Sequence, residues 1–354
     1  MGLFLAGLSA LEFASRHVGD MTLAEPKAYR REFGASVPCA GEVAEARAGV
    51  LSGLSAPLRL LVPDDASRRS IRGVSCRSWQ GALPRRAFVR VRGLDVVCAG
   101  GLYVSVPEFA FAHAVRGAGL LDLVLVGCEA CGRYALMPDG TRGFADRPPL
   151  TSRARLASAL SSLGPFLGRR RALRACSLVF DHAASPMESA LALLLSLPPS
   201  LGGYGLPRPE LNRRVDVPGA SAGLFRDHYV CDLYWHEARL AVEYDSDAYH
   251  TGPERIARDA RRRGELLRCG VTVVAATRAQ VFVRRETDRL ARLVARELGH
   301  RMRLGRVTGW EARNGALRDL LLPRRRAAGG GGGCGTAGSH GTVGQPGKWR
   351  QPGT

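Results

Sequence analysis

The chain has 354 residues, enough for two domains that each bury a core, which excludes a small disulfide-stapled protein. Apolar residues make up 45% and charged residues 23%, which excludes a largely disordered or collagen-like chain. The 51 basic residues exceed the 32 acidic ones by +19 in formal charge. A phosphate-bearing partner is one interpretation of this charge. The other interpretation is a general bias in composition, since all the basic residues except Lys27 and Lys348 are arginine, and glycine and proline are also frequent.

The sequence predicts neither a membrane span nor secretion. The apolar opening Met1–Ala14 contains Glu12 and has no basic start, so it predicts a first strand or helix packed on the core. The richest apolar stretch, Leu191–Leu206, is interrupted by Pro198 and Pro199. Nine scattered cysteines, an odd number, predict reduced thiols. We therefore expect a cytoplasmic protein without a membrane partner.

Over residues 1–180, short strand-like and helix-like segments predict a smaller mixed α+β domain. Phe88–Val91 and Leu94–Cys98 predict strands, and Pro107 suits the first turn of a helix that opens at Ser105. The segment Leu94–Phe109 is similar to the strand and "SPE" helix start of AbiEi-type antitoxin-like proteins. The alternative is a scaffold domain that binds nothing itself.

Residues 181–305 predict a helix, three strands, a helix, a strand and a final helix. Ser185-Pro-Met-Glu188 has a capping serine, a proline at the first helical position and a glutamate at the third, which predict a helix start. Two apolar runs, His228–Trp235 and Arg239–Asp245, are joined by three residues and predict a hairpin. The other predicted elements are strands over Leu211–Val217 and Val271–Thr277 and helices over Thr251–Cys269 and Arg284–Leu304.

Two further segments complete the predicted organisation. Residues 306–326 predict a basic helical extension. Residues 327–354 are dominated by glycine, with no periodic apolar positions, and predict a disordered tail.

Acidic residues concentrate on the predicted hairpin. Asp232 lies inside one strand and Glu243 ends the apolar run of the other, while Asp245 shares a strand face with Glu243. A cluster of carboxylates is costly unless a cation offsets it, and Mg²⁺ binds to one or two carboxylates together with substrate phosphate oxygens. The alternative is that these acids end a strand in solvent or pair with arginines further along the chain.

The joint spacing is more specific than its parts. Ten residues separate Asp232 from Glu243-Tyr-Asp245, His250 follows, and Asp259-x-x-Arg262-x-x-x-Leu266-x-x-x-Gly270 leads into an apolar strand. This pattern, from Ser185 to about Arg296, resembles the Vsr-like branch of the PD-(D/E)xK nuclease superfamily. The resemblance implies an α/β protein with a restriction-endonuclease-like core and Mg²⁺- or Mn²⁺-dependent hydrolysis of DNA phosphodiester bonds.

The resemblance also implies roles for particular residues. Asp232 and Glu243 would be metal ligands, Asp245 a third ligand or a water-orienting acid, and Glu188 the supplementary carboxylate that some members add. His250 would be a general acid or a phosphate contact. Gln280 matches a polar position that follows the last strand. The arginines on the next helix, Arg255 and Arg262, would contact DNA; pairing with Asp259 or Glu265 on that helix is the alternative for them.

A second function remains open from the sequence. No lysine lies between residues 28 and 347, so Asp245 stands where the motif has its lysine. Ser246 replaces the family glycine, and His250 lies one residue later than in the pattern. These departures favour a non-catalytic DNA-binding or regulatory protein of toxin-antitoxin type that retains the fold. The presence of Asp232, Glu243, Asp245 and His250 together favours an enzyme.

Overall fold

The computed structural model describes residues 2–17, 19, 21–79, 81–91, 101–137, 143–217, 227–245 and 253–322, without the side chains of residues 253, 255 and 256. The described chain divides into two compact units. Unit 1 contains residues up to 135 together with 145–182, and unit 2 contains residues 136–144 and those from 183 onward. Both units mix helices with strands, so the α/β class is confirmed at that level.

Unit 1 is built on a mixed sheet of six strands among the described residues, in the order β2-β5-β6-β1-β3-β4. The sequence predicts a smaller N-terminal domain, but this sheet has more strands than the four-stranded sheet of unit 2. The reason is that short strands from well-separated segments join one sheet. The opening segment supplies both a strand, β1, and a helix, α1. These strands are β1 Leu3–Leu5, β2 Met21–Leu23, β3 Leu58–Val62, β4 Val74–Ser78, β5 Phe88–Val91 and β6 Leu102–Ser105.

Helices pack on this sheet, and a separate sheet has two strands among the described residues. The helices are α1 Gly7–Arg16, α2 Pro26–Gly34, α3 Ala40–Ala48, α4 Pro107–Ala114, α5 Leu120–Cys131, α6 Arg153–Ser162 and α7 Arg169–Leu178. The small sheet pairs β7 Tyr134–Leu136 with β8 Phe144–Asp146.

Aromatic side chains form the centre of the unit 1 core. The Phe4 ring stacks on Tyr103 with centroids 4.6 Å apart, and it meets Phe88 edge-on at 5.0 Å. All three side chains are buried. Offset and edge-on ring pairs add to the stability that area burial provides, so the core aligns β1, β5 and β6.

The predicted helix start at Pro107 is confirmed, since α4 begins there. Its Glu108 is buried: Oε1 accepts a hydrogen bond from Thr151 Oγ1 at 2.6 Å and lies 2.9 Å from the Arg155 guanidinium. Glu108 therefore joins α4 to the segment that leads into α6. The predicted strand Leu94–Cys98 lies outside the described residues.

Unit 2 has the element order that the sequence predicts. Helix α8 precedes three strands, helix α9 follows them, and a fourth strand leads to the closing helices. The elements are α8 Pro186–Ser196, β9 Glu210–Asp216, β10 His228–Trp235, β11 Leu240–Asp245, α9 Pro253–Arg268, β12 Thr272–Thr277, α10 Arg278–Phe282, α11 Arg284–Glu297 and α12 Trp310–Leu321.

The four strands of unit 2 form one sheet in the order β12-β11-β10-β9. β9, β10 and β11 are antiparallel neighbours, and β12 runs parallel to β11. The predicted hairpin is confirmed, with Leu233 opposite Val242. The two central strands are thus β10 and β11, which contain Asp232 and Glu243.

The predicted final helix over Arg284–Leu304 is too long at its end. α11 stops at Glu297, and Gly299 takes a φ of +60°, a left-handed conformation that glycine adopts without strain. The His300 N–H then donates to the Ala295 carbonyl at 2.8 Å, which closes the helix end.

The glycine-rich loop after α8 allows α12 to approach closely. A β-carbon on Gly203 would lie 2.0 Å from the Leu197 carbonyl oxygen, so any side chain there would collide with the backbone. Trp310 Nε1 donates to the Gly203 carbonyl at 2.9 Å, and Asn314 Nδ2 donates to the Gly202 carbonyl at 2.7 Å. The predicted basic extension is therefore a helix packed within unit 2.

None of the described cysteines forms a disulfide, and Cys128, Cys131, Cys176 and Cys231 are buried. No helix in the described part of the chain is both long and apolar enough to cross a membrane.

Candidate functional site

The two central strands of unit 2 bring the principal acidic pair together. The antiparallel pairing of β10 with β11 runs as far as Leu233 and Val242, and Asp232 and Glu243 are the residues next to that last pair on the two strands. Asp232 Oδ2 accepts a hydrogen bond from the Tyr244 backbone N–H at 2.9 Å. The Asp232 carboxylate therefore reaches across the hairpin to the residue that follows Glu243.

The alternation of side chains along β10 is interrupted at this place. Cys231 and Tyr234 contribute to the same buried cluster, together with Ala241 and Leu266. Residues three apart on a regular strand point to opposite faces, so the backbone changes its facing between them. Asn212 on the neighbouring strand β9 has a φ of +49°, which also departs from regular strand geometry. Irregular strands of this kind re-aim a side chain, here Asp232.

The environment of Asp232 disfavours its charged form. Burial raises the pKa of this carboxyl to about 7, and the negative charges of Glu188 and Glu243 add to the rise. The hydrogen bond from Tyr244 and the positive charge of Arg262 oppose it. The negative charges of two other carboxylates therefore act on Asp232, as expected for a place where a cation would be stabilising.

Glu243 has a cationic partner on α9. Arg262 Nη2 pairs with Glu243 Oε1 and donates to the Val230 carbonyl at 2.7 Å. Burial raises the pKa of Glu243, while the charge of Arg262 acts against that rise. Arg262 thus joins α9 to both central strands of the sheet.

A tyrosine and a second acid surround this arginine. The Tyr229 ring lies beneath the guanidinium, with its centroid 5.7 Å from Arg262 Cζ. The Tyr229 hydroxyl donates to Glu265 Oε2 at 2.6 Å, and Glu265 is only 5% exposed. The sequence pattern did not indicate Tyr229, and it indicated Glu265 only as an alternative partner of Arg262. The helical spacing of residues 262, 265 and 266 places them on one face of α9, and this spacing is the sequence pattern that indicates that they face the sheet together.

Glu188 begins α8 as predicted. Ser185 Oγ accepts from the Glu188 N–H at 3.2 Å, and Glu188 Oε1 accepts from the same hydroxyl at 2.9 Å. Glu188 Oε2 accepts from the Ala184 N–H at 2.8 Å and from Asn212 Nδ2 at 2.6 Å. Both oxygens are thus engaged in capping and in joining α8 to β9. Its charge still acts on Asp232.

Of the remaining predicted site residues, the structure describes the side chains of Asp245 and Gln280. Asp245 ends β11, opposite Thr277 on β12, and is partly exposed. Gln280 closes a capping box at the start of α10, where its side chain accepts from the Thr277 N–H at 2.9 Å. His250 lies outside the described residues, as does the side chain of Arg255.

Among the described residues, no group of three or more histidine, cysteine, aspartate or glutamate side chains is arranged to hold a metal ion. The donors that the sheet brings together are two, Asp232 and Glu243. Two carboxylates fit Mg²⁺, which takes one or two from the protein and completes its octahedral shell with water and substrate oxygens. The donor set therefore fits a metal shared with a substrate better than an ion enclosed by protein.

The chain is similar to two proteins of Mycobacterium tuberculosis, uncharacterized protein MT2308 of strain CDC 1551 and uncharacterized protein Rv2248 of strain H37Rv. Each is 36% identical over 117 residues, which is 33% of this chain and 38% of the relative. The chain thus spans well under half the length of the curated relatives it matches. No family model matches the chain, and no solved structure matches it.

Proposed function

We propose that unit 2 is a Mg²⁺- or Mn²⁺-dependent endonuclease of the PD-(D/E)xK class, similar to its Vsr-like branch, that hydrolyses DNA phosphodiester bonds. The observation that carries the proposal is that Asp232 and Glu243 lie near each other on the two central strands: Asp232 accepts from the Tyr244 N–H at 2.9 Å, and the charge of Glu243 acts on Asp232. The order helix, three antiparallel strands, helix and a parallel fourth strand agrees with the core that the resemblance implies.

The two carboxylates have the properties that a phosphodiesterase site needs. They are largely enclosed, the charge of Glu243 raises the pKa of Asp232, and the charge of Arg262 acts against the rise at both carboxyls. When bound, Mg²⁺ would polarise the phosphate and lower the pKa of an attacking water. Asp232 and Glu243 would hold the ion, and their rigid attachment to paired strands would set its position.

Arg262 has a role that follows from its contacts. It lies beside Glu243, where its charge favours the ionised form of that carboxyl, and its side chain is about one-third exposed. A guanidinium recognises phosphate oxygens through paired N–H donors but does not act as a base. Arg262 would therefore position and neutralise a DNA phosphate, and the proton of the attacking water would go to another group.

The test is nicking of plasmid, mismatched and single-stranded DNA with MgCl₂, MnCl₂ or EDTA. Asp232→Asn and Glu243→Gln keep the size of each side chain and should each lower cleavage at least about 10³-fold, because each removes a charged metal ligand worth several kcal/mol in the transition state. Glu237→Gln, in the exposed hairpin turn, is the matched control and should cleave as the wild type does. His250→Ala should slow cleavage by about 10²- to 10⁴-fold.

A second candidate is a non-catalytic DNA-binding protein that retains the fold. The ion pair between Glu243 and Arg262 favours it, because a protein cation already neutralises one proposed ligand. The same assay separates the candidates: DNA binding by the wild type without cleavage in any metal supports the second. Equal residual cleavage by the wild type and all variants would point to a contaminating nuclease and contradict the first.

A further inference from the structure

Unit 1 contains a group of arginines whose charge few acids offset. Arg59 lies on β3 opposite Ser75 of β4, and two positions further along, Arg77 of β4 lies opposite Leu61. Residues two apart on a strand share a face, as do directly paired residues on neighbouring strands, so Arg59 and Arg77 extend from the same side of the sheet. β4 is an edge strand, which leaves this side open at its margin.

Two more arginines reach the same place from outside the sheet. Arg116, on the short turn after α4, donates from Nη1 to the Ser78 carbonyl at 3.2 Å. Arg68 Nη2 donates to Ser78 Oγ at 3.1 Å. Both therefore contact the residue that follows Arg77, and four segments of chain converge on the end of β4.

The position of Arg59 is fixed by close packing. A β-carbon on Gly117 would lie 3.6 Å from Arg59 Nη2, and one on Gly7 would lie 3.3 Å from Arg59 Cδ. The aliphatic part of Arg59 thus passes the start of α1, and its guanidinium lies beside Gly117, the neighbour of Arg116 in the chain. Arg59 is half-buried, so its charged group is held in place rather than free in solvent.

The nearby acids are already engaged. Asp65 lies 2.6 Å from the Arg68 guanidinium and also accepts from Ser78 Oγ at 2.5 Å. Glu12 pairs with Arg16 at 2.8 Å and attracts Arg59 only at longer range. In the part of unit 1 that the structure describes, the side chains of Arg59 and Arg77 have neither an ion pair nor a hydrogen bond.

The arginines also disturb one another electrostatically. Burial, followed by the charge of Arg77, lowers the pKa of Arg59. Burial, followed by the charges of Arg116 and Arg68, lowers the pKa of Arg77. Like charges close to one another are unfavourable until an anion joins them, and planar guanidinium groups on neighbouring elements match the oxygens of a phosphate.

We propose that Arg59, Arg77 and Arg116 form a binding site for phosphate groups in unit 1. The site does not depend on the carboxylates of unit 2, so it stands whether or not unit 2 cleaves DNA. The phosphates could belong to a nucleic-acid backbone or to a small phosphorylated molecule, since both present the same oxygens to the guanidinium groups.

The test measures binding by the full chain in EDTA with two probes. Pyrophosphate is titrated by calorimetry, and a fluorescein-labelled single-stranded oligonucleotide is followed by fluorescence anisotropy. Arg77→Gln removes an exposed charge from the site. Arg86→Gln removes an exposed charge beside β5, which β6 and β1 separate from β3. Each variant loses the same charge, so their difference reports the site rather than the net charge.

We expect Arg77→Gln and Arg59→Gln each to weaken pyrophosphate binding about ten- to a hundred-fold, the effect of one charge-assisted hydrogen bond, and Arg86→Gln to change it less than about two-fold. Competition of pyrophosphate with the oligonucleotide, lost in the same variants, would identify a nucleic-acid backbone. Loss of pyrophosphate binding alone would identify a small ligand. Thermal melting checks that Arg59→Gln still folds, and Arg77→Gln tests the site without altering a packed residue.

Three results would overturn the proposal. They are unchanged binding of both probes by Arg77→Gln, an equal loss in Arg86→Gln, and a wild type that binds neither probe.

Discussion

The Asp232 carboxyl should make the stability of unit 2 depend on pH in a defined direction. Its pKa is about 7 in the folded protein against an ordinary value of 3.8, so the folded state binds this proton more tightly than the unfolded state does. The stabilisation linked to the proton is fully present below pH 3.8 and is lost as the pH rises towards 7.

The size of this effect follows from the same two values. The pKa of Asp232 rises from 3.8 to about 7, and each pKa unit corresponds to about 1.4 kcal/mol. The linked stabilisation of the folded state is therefore at most about 4 kcal/mol. Asp232→Asn removes the ionisation but keeps an oxygen that can accept from the Tyr244 N–H. The free energy of unfolding of the variant should therefore rise relative to that of the wild type between pH 4 and 7, by up to about 4 kcal/mol.

Urea unfolding in EDTA, followed by tryptophan fluorescence across this pH range, measures the difference. Unit 1 is the same in both proteins, so its unfolding cancels in the comparison. Glu237→Gln makes the same acid-to-amide change in the exposed hairpin turn and should leave the difference flat. Parallel pH profiles for the wild type and Asp232→Asn would refute the reasoning, because they would mean that Asp232 ionises equally in both states.

Three further outcomes are expected. Gly203→Ala should destabilise unit 2 by about 1–3 kcal/mol, because its β-carbon would lie 2.0 Å from a carbonyl oxygen, whereas Gly264→Ala, with open space in α9, should stabilise it by about 0.5–1 kcal/mol; urea denaturation compares them. Tyr229→Phe should lower the free energy of unfolding by about 1–3 kcal/mol, because it removes the hydrogen bond to buried Glu265, and thermal melts would show it. Affinity for DNA should fall steeply with salt, with a slope of about −0.9 in log K against log salt for each phosphate neutralised; a flat response would assign the net charge to composition.

Local patterns identified most of the elements of unit 2 because they depend on neighbours in the chain. The serine, proline and glutamate at Ser185-Pro-Met-Glu188 satisfy the first N–H groups of a helix, and α8 begins there. Two apolar runs with a short connection can pair only as a hairpin, and β10 and β11 do so. That pairing places Asp232 and Glu243 on adjacent strands next to the last paired residues, and the hydrogen bond from the Tyr244 N–H to Asp232 then brings the two acids near each other.

The sequence by itself determined these elements and the position of two acidic residues on adjacent strands, whereas the hydrogen-bond and ion-pair partners of those acids were decided by tertiary structure. Helical spacing made Asp259 and Glu265 as suitable for Arg262 as any acid, yet the arginine pairs with Glu243, nineteen residues earlier, and Glu265 accepts from Tyr229. Likewise, nothing local indicates that Arg59, Arg77 and Arg116 meet. A repeating pattern tells which face of a helix or strand is apolar, but which faces meet depends on how distant segments bury that surface together.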